Sequence, residues 1–404
     1  MPPLFRDVRA QYFLTFAALG TVLPYASVFF RQAGLTQGEI GLAFAMWSGA
    51  QVLSPVLVAW AADARLDPRR LVFACAAGTA VALLGLGFVR GVGPVLAVWA
   101  AYCLASLPLL PLADGCYFSL RQRDAERGLA TAPYHRVRVW GTVGFIVPSV
   151  GLYWLLDAGR PVTDALTTGA AVAVLAAAQA VLLDDPRPAA PTGGRPGPGL
   201  PTAAAARMLF RPPLLVFCAA LFLAQMASSA YAAFYPVYLT ERAGIAAKWV
   251  GLIAQAGVVA EVFVVLGCGY LVGRFGVRGM LVGGMALVAV RFGLLAASAA
   301  VPVAVGTQLF HGLQVVVTSV MPQAFLDRHA DDDCRHSMQG VFVMLMGVGK
   351  MAGSLAAGQV AAVSLQAVFG WGATLCLAAV GLAVVAFREG LREPGRATAP
   401  VPAA

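Results

Sequence analysis

Apolar residues in this chain neither alternate nor trace a single helical stripe; they come in long unbroken runs. From about residue 11 onward, near-uncharged runs recur, separated by short segments rich in Arg, Gly and Pro. A helix rises about 1.5 Å per residue, so about 20 apolar residues cross about 30 Å of hydrocarbon. The pattern predicts twelve such helices, at about 11–30, 38–60, 70–89, 94–119, 136–156, 162–183, 212–239, 248–272, 279–298, 301–326, 337–360 and 365–387, numbered here as spans 1 to 12. The first run, "FLTFAALGTVLPYASVFF", has the length of a signal-peptide core. It lacks a convincing cleavage site and a soluble domain behind it, and is read as a retained span.

Composition agrees. The 404 residues are 60% hydrophobic and 12% charged, with a mean hydropathy of +0.78. A soluble domain is about half apolar and about a quarter charged. The net charge of +9 is carried by short loops, with no continuous patch, which argues against nucleic acid as a partner. With the N-terminus inside, the inner loops hold Arg6, Arg9, Arg65, Arg69, Arg70, Arg121, Arg123, Arg127, Arg274, Arg278 and others, while the opposite side holds Arg31, Arg90, Arg160, Arg242 and Lys248. This is the positive-inside pattern, with both termini in the cytoplasm. Cys75, Cys103, Cys116, Cys218, Cys268 and Cys376 lie in apolar spans and Cys334 in a loop, none with metal-ligand spacing. No metal site and no cofactor are expected.

The segment "DDPRPAAPTGGRPGPGLPTAAAAR" divides the chain. Its Pro and Gly density opposes regular structure. The expected organisation is a six-helix bundle at 1–183, a cytoplasmic linker at 184–211, a second six-helix bundle at 212–388 and a tail at 389–404. The halves repeat one another. "RQAGLTQGEIGL" at 31–42 aligns with "ERAGIAAKWVGL" at 241–252, and the same register sets Gln51 on Glu261. The fold class is therefore an all-α membrane protein with twelve transmembrane helices in two pseudo-symmetric six-helix bundles. A substrate site between repeats at mid-depth is the usual consequence.

This architecture resembles the major facilitator superfamily. "DARLDPRR" is similar to that superfamily's loop after span 2, with Asp63 as its acid and Ala59 in place of the usual leading Gly. "YFLTFAALGTVLPYASVFFRQAGLTQGEIGL", "YHRVRVWGTVGFI", "AQMASSAYAAFYPVYL", "GVVAEV" and "QLFHGLQ" occur in order, on spans 1, 5, 7, 8 and 10. Together they resemble the phenylpropionate permease family of proton symporters, relatives of lactose permease. One departure is Ser228, where that family tends to carry a His.

Four ionisable residues fall near the middles of spans 8 to 11: Glu261, Arg291, His311 and Lys350. An ionised group at mid-membrane costs about 2.5–3.5 kcal/mol even on the lenient insertion scale. They are expected to line a shared polar cavity; the alternative is a brace in which Glu261 pairs with Arg291 or Lys350. Gln308, His311, Gln314 and Thr318 share one face of span 10, and Gln225, Ser228 and Tyr235 one face of span 7. The lactose permease resemblance matches Arg291 and His311 to basic residues of that permease and puts Gln314 where it has its proton-binding acid. It implies that Glu261 takes over proton binding, substrate binding or both. It also matches Asp114 and Arg138 to a substrate-binding pair, although Asp114 lies close enough to the inner face to form a gate instead.

The proton-coupling candidates are Glu261, His311 and Asp114. The substrate-binding candidates are Arg291, Lys350, Arg138, Gln51, Gln225, Gln314, Tyr235 and Trp47. The resemblance implies a proton symporter of the bacterial inner membrane, with the lipid bilayer, the proton and a small molecule as partners, expected to be a monomer. A small aromatic organic acid such as 3-phenylpropionate is the specific expectation. A nucleoside or oligosaccharide symporter is one alternative; an efflux antiporter is another, from the partial span-5 signature "GFIVPSVG". No Walker-type loop, HExxH or nucleophile elbow points to an enzyme. The topology has a direct test. A reporter active only in the periplasm should work when fused after Pro161 and fail when fused after Arg195; the opposite result inverts the orientation.

Overall fold

Proline and glycine decide where the apolar runs break. The computed structural model describes residues 3–63, 66–129, 131–157, 160–183, 209, 211–329 and 335–388, and every regular element among them is helical. The expected linker, apart from 209 and 211, and the expected tail lie outside the described residues. Span 1 forms Pro3–Val22 and a short continuation, Ala26–Gln32, with the break at Leu23-Pro24-Tyr25. Span 4 breaks at Leu107-Pro108 into Val92–Ser106 and Leu109–Glu126. Proline brings no N–H to the helical ladder, which explains both interruptions. Spans 2, 3, 5 and 6 are Gln37–Asp63, Pro68–Phe88, Tyr134–Asp157 and Thr163–Leu182.

In the second half, span 7 is Pro212–Glu241, span 11 Arg335–Val363 and span 12 Leu365–Arg388. Spans 8 and 9 run together as Lys248–Ala297, a stretch of 50 residues. At about 1.5 Å per residue that is far longer than a bilayer is thick. The break lies at Gly276, whose φ of 70° and ψ of 169° are non-helical and suit glycine. Among the described residues there are thus eleven long apolar helices, one of them carrying two spans, in keeping with the twelve expected.

The chain packs as two compact units. The first contains Met1–Gly197 together with Ala232–Ala256 and Ser354–Leu365; the second contains Pro198–Tyr231, Gly257–Gly353 and Gln366–Ala404. Small residues let helices within each unit approach closely. Side chains at Gly20 and Gly144 would overlap the backbone of Phe145 and Phe13, so spans 1 and 5 cross at glycine contacts. In the second unit a Cβ on Gly353 would overlap Met226, and one on Gly349 would stand 3.1 Å from the Phe222 ring, so spans 7 and 11 cross in the same way. With no hydrophobic drive between helices in lipid, such packing holds the helices together.

Within the first unit, the end where span 1 finishes is built by the repeated sequence itself. The Arg31 Nε donates to Glu241 Oε1 at 2.8 Å, and its Nη1 donates to the Leu35 carbonyl at 2.8 Å. Arg31 and Glu241 are mates in the repeat, 210 positions apart. The glycine mates Gly41 and Gly251 also lie here. A Cβ on Gly41 would stand 2.5 Å from the Ser354 carbonyl oxygen, and one on Gly251 would stand 2.5 Å from the Tyr25 hydroxyl and 3.1 Å from the Ser149 carbonyl. A second ion pair joins Lys248 to Asp157, with Lys248 also 5.4 Å from the centre of the Tyr153 ring. Thus span 2 meets span 11, and span 8 meets spans 1 and 5, through equivalent glycines.

Half-exposed ion pairs are worth about 0.2–1 kcal/mol, and like charges in their place repel. R31E and E241R should each raise amide hydrogen exchange in residues 31–41 and 241–251 by about two- to fivefold. The double variant should restore protection. Unchanged exchange in all three would mean the pair contributes nothing to closing this end.

Candidate functional site

Two polar clusters form inside the apolar framework, one in each unit. The second unit holds the larger, on spans 7 to 10. Span 10 is irregular there: Val301–Gly306 is α-helical, Thr307–Phe310 tightens to a 3-10 turn, His311–Val315 is α-helical and Val316–Val320 widens to a π turn, before Met321–His329 resumes. Such departures inside a helix recur at functional sites. Here they carry Gln308, His311, Gln314 and Thr318, the polar stripe expected from the sequence.

Arg291 on span 9 is fully buried. Its Nη1 donates to Gln314 Oε1 at 2.6 Å and its Nη2 to Gln308 Oε1 at 3.2 Å. The guanidinium carbon lies 4.0 Å from the centre of the Tyr231 ring, a cation–π contact from span 7. Gln314 is locked from the other side: its Nε2 donates to Ser228 Oγ at 2.8 Å. Thr318 Oγ1 donates to the Gln314 carbonyl at 2.8 Å, and Gln225 Nε2 donates to the Thr318 carbonyl at 2.9 Å. The Arg291 charge is therefore solvated by neutral groups, and among the described residues it forms no ion pair. Its Nε, the Gln308 Nε2 and the His311 Nδ1 are buried with no hydrogen-bond partner among the described residues.

Glu261 turns to His311. The two approach at 3.7 Å, Oε2 to Nε2, and both side chains are partly exposed. Glycines bring their helices together: a Cβ on Gly312 would overlap the Glu261 Cα, and one on Gly257 would stand 3.1 Å from the His311 Cβ. The anticipated brace of Glu261 with Arg291 or Lys350 does not form. Lys350 on span 11 is half-buried and has no hydrogen bond or ion pair among the described residues. Spans 8 and 10 are held so close that the carboxylate's partner comes from the helix it touches.

The first unit holds the other cluster, on spans 1, 4 and 5. Asp114 accepts a hydrogen bond from the Tyr134 hydroxyl at 2.8 Å and another from the Tyr12 hydroxyl. Arg138 lies over Phe16, 4.3 Å from its ring centre, and 5.6 Å from that of Tyr12. Asp114 and Arg138 are thus linked through Tyr12, with no ion pair between them among the described residues. Trp47 stacks on Trp99 and Tyr102, each with centroids 6.0 Å away, while Trp99 Nε1 donates to the Ala43 carbonyl at 2.8 Å. Gln51 is half-buried and Tyr235 buried, both in this unit. Tyr12, Tyr134 and Tyr231 carried no sequence signal as site residues, because an aromatic in an apolar span reads as packing.

A family model described as the MFS_1 like family matches residues 5–370. The chain belongs to that family. It is a multi-pass transporter of the major facilitator superfamily, whose members are not enzymes. It is 30% identical over 314 residues to the "Probable 3-phenylpropionic acid transporter" of Escherichia coli (strain K12), covering 76% of this chain and 78% of that protein. A crystal structure of the nucleoside transporter NupG superposes with a TM-score of 0.85 at 19% identity, over 96% of this chain and 100% of that one. A bacterial homologue of the human lysosomal transporter Spinster, in an inward-facing and occupied conformation, gives a TM-score of 0.65 at 13% identity, over 95% of this chain and 94% of that one. These two likenesses concern the fold.

For this MFS transporter, the contact between spans 8 and 10 makes a stability prediction. Gly312→Ala must push Glu261 away and should cost about 1–3 kcal/mol. Gly283→Ala, at an exposed position of span 9 where nothing lies within 4 Å, should be neutral or stabilise by up to about 1 kcal/mol. Thermal unfolding of the purified protein in detergent measures both; equal effects would mean spans 8 and 10 can separate freely.

Proposed function

We propose that the protein is a proton-coupled symporter that imports a small aromatic organic acid, 3-phenylpropionate being the leading candidate. The observation that carries this reading is the buried Arg291 guanidinium held by neutral side chains. A buried charge needs a counter-charge, and a guanidinium can clamp a carboxylate through two parallel hydrogen bonds. Lys350, unpaired among the described residues of the same unit, adds a second positive charge. Tyr231 and Phe292, with ring centroids 5.9 Å apart beside Arg291, offer an apolar wall to an aromatic ring. The likeness to a relative named for 3-phenylpropionic acid supports the same substrate class.

Proton coupling rests on Glu261 and His311. A carboxylate and an imidazole 3.7 Å apart, both partly exposed, can hold a proton between them and release it. Asp114, held by two phenols, is a second candidate in the first unit, beside Arg138. The Arg31–Glu241 layer joins parts of both halves of the chain at one end, and passage of substrate at that end requires it to part. We place the protein in the bacterial inner membrane with both termini cytoplasmic, on the arginine distribution.

A second reading has its own support. Gln225, Gln308 and Gln314 are hydrogen-bonding side chains suited to a neutral polar substrate, and a 27% identical relative, the "Putative nucleoside transporter YegT" of Escherichia coli (strain K12), fits a nucleoside. Proteoliposomes under an imposed pH gradient, supplied with labelled 3-phenylpropionate, its amide and nucleosides, separate the two. The acid should accumulate, and Arg291→Ala should weaken it about tenfold to a hundredfold. Glu261→Gln should abolish accumulation against a gradient while sparing exchange of labelled for unlabelled acid. Accumulation of nucleosides alone would replace the acid reading, and an E261Q protein that still concentrates substrate would remove Glu261 from the coupling.

A further inference from the structure

We infer that Gln314 sets the charge of the substrate, by solvating Arg291 without neutralising it; this rests on the organic-acid reading above. The side chain is fixed at both ends. Its Nε2 donates to Ser228, so its Oε1 is the atom presented to Arg291 Nη1, at 2.6 Å. An amide oxygen satisfies the donor but brings no formal charge. Gln308 does the same at Nη2, and the Tyr231 face completes the shell. The Glu261 carboxylate, on the helix packed against span 10, is directed to His311. Every contact that the described residues make to Arg291 is thus of the kind that holds a cation in place and leaves its charge for something else. The Nε is buried and has no hydrogen-bond partner among the described residues, so one donor of the guanidinium is still unsatisfied.

Glutamate is nearly the same shape as glutamine. At position 314 it would place a carboxylate oxygen where the amide oxygen lies. Ser228 would follow without rearrangement, since a hydroxyl can donate as readily as it accepts. The guanidinium would then have an internal counter-ion, and a substrate carboxylate would be redundant or repelled. Position 314 is therefore a specificity-determining position: Gln favours an anion, Glu a neutral molecule of similar shape.

The test uses the full-length protein in detergent, with 3-phenylpropionate and 3-phenylpropionamide as probes in binding titrations, and thermal unfolding without ligand. The wild type should prefer the acid. Gln314→Glu should reduce the acid-to-amide preference at least tenfold and raise the Tm of the ligand-free protein, because the buried charge gains a partner. Gln314→Met, which removes the hydrogen bonds and adds no charge, should lower Tm and weaken both probes while keeping the acid preference. A Q314E protein with unchanged preference and unchanged Tm overturns the inference, since Arg291 must then be neutralised by another group. If the wild type binds neither probe, the substrate reading fails. The Tm comparison between Q314E and Q314M still decides whether Gln314 leaves Arg291 uncompensated.

Discussion

A guanidinium removed from water has to be solvated by something, and the second unit is organised around that requirement. Arg291 is fully buried, and two neighbouring helices contribute to its shell: span 10 through Gln308 and Gln314, and span 7 through Tyr231 and, one step further out, Ser228. Two glutamines six positions apart do not both point at one guanidinium from a regular α-helix without adjustment. The tight turn at Thr307–Phe310 and the wide turn at Val316–Val320 flank the regular turn between them. The helix gives up ideal geometry where its polar side chains must converge, and hydrogen bonds to a charged group are strong enough to justify that.

The same unit keeps the acid and the buried base apart. Glu261 is on the helix that Gly312 allows to approach span 10, and it meets His311 rather than Arg291. Two charged groups that could have cancelled each other instead have separate partners. On the proposed reading the first exchanges a proton and the second holds the substrate anion. The aromatic residues serve both: Tyr231 lies under Arg291 and its ring centre is 6.3 Å from that of His311.

In the first unit, the pseudo-repeat has a physical use. Residues at equivalent positions of the repeated sequence can meet one another, as Arg31 and Glu241 do. For such a pair to attract, the two copies must differ in charge, and here one carries Arg and the other Glu. Gly41 and Gly251 stay the same in both copies, because each must let a neighbouring backbone or side chain come within contact distance. Divergence where charges meet and identity where backbones meet follow from the same geometry.

The amino-acid sequence by itself determined the membrane class, the helical make-up and the internal sequence repeat, because hydrocarbon thickness and backbone hydrogen bonding leave a long apolar run few other solutions. It also singled out Glu261, Arg291, His311 and Lys350, since an ionisable residue at mid-span is costly enough to stand out. Which of these meet was decided only by tertiary structure. Glu261 and His311 are 50 positions apart, Arg291 and Gln314 are 23 apart, and Tyr12 and Asp114 are 102 apart. Nothing in the local pattern of span 1 marks Tyr12 as the link between Asp114 and Arg138, and nothing in span 7 marks Tyr231 as the floor under Arg291. Partner choice depends on helix rotation and on how closely glycines allow helices to approach, and those are properties of helix pairs that no single helix's sequence carries.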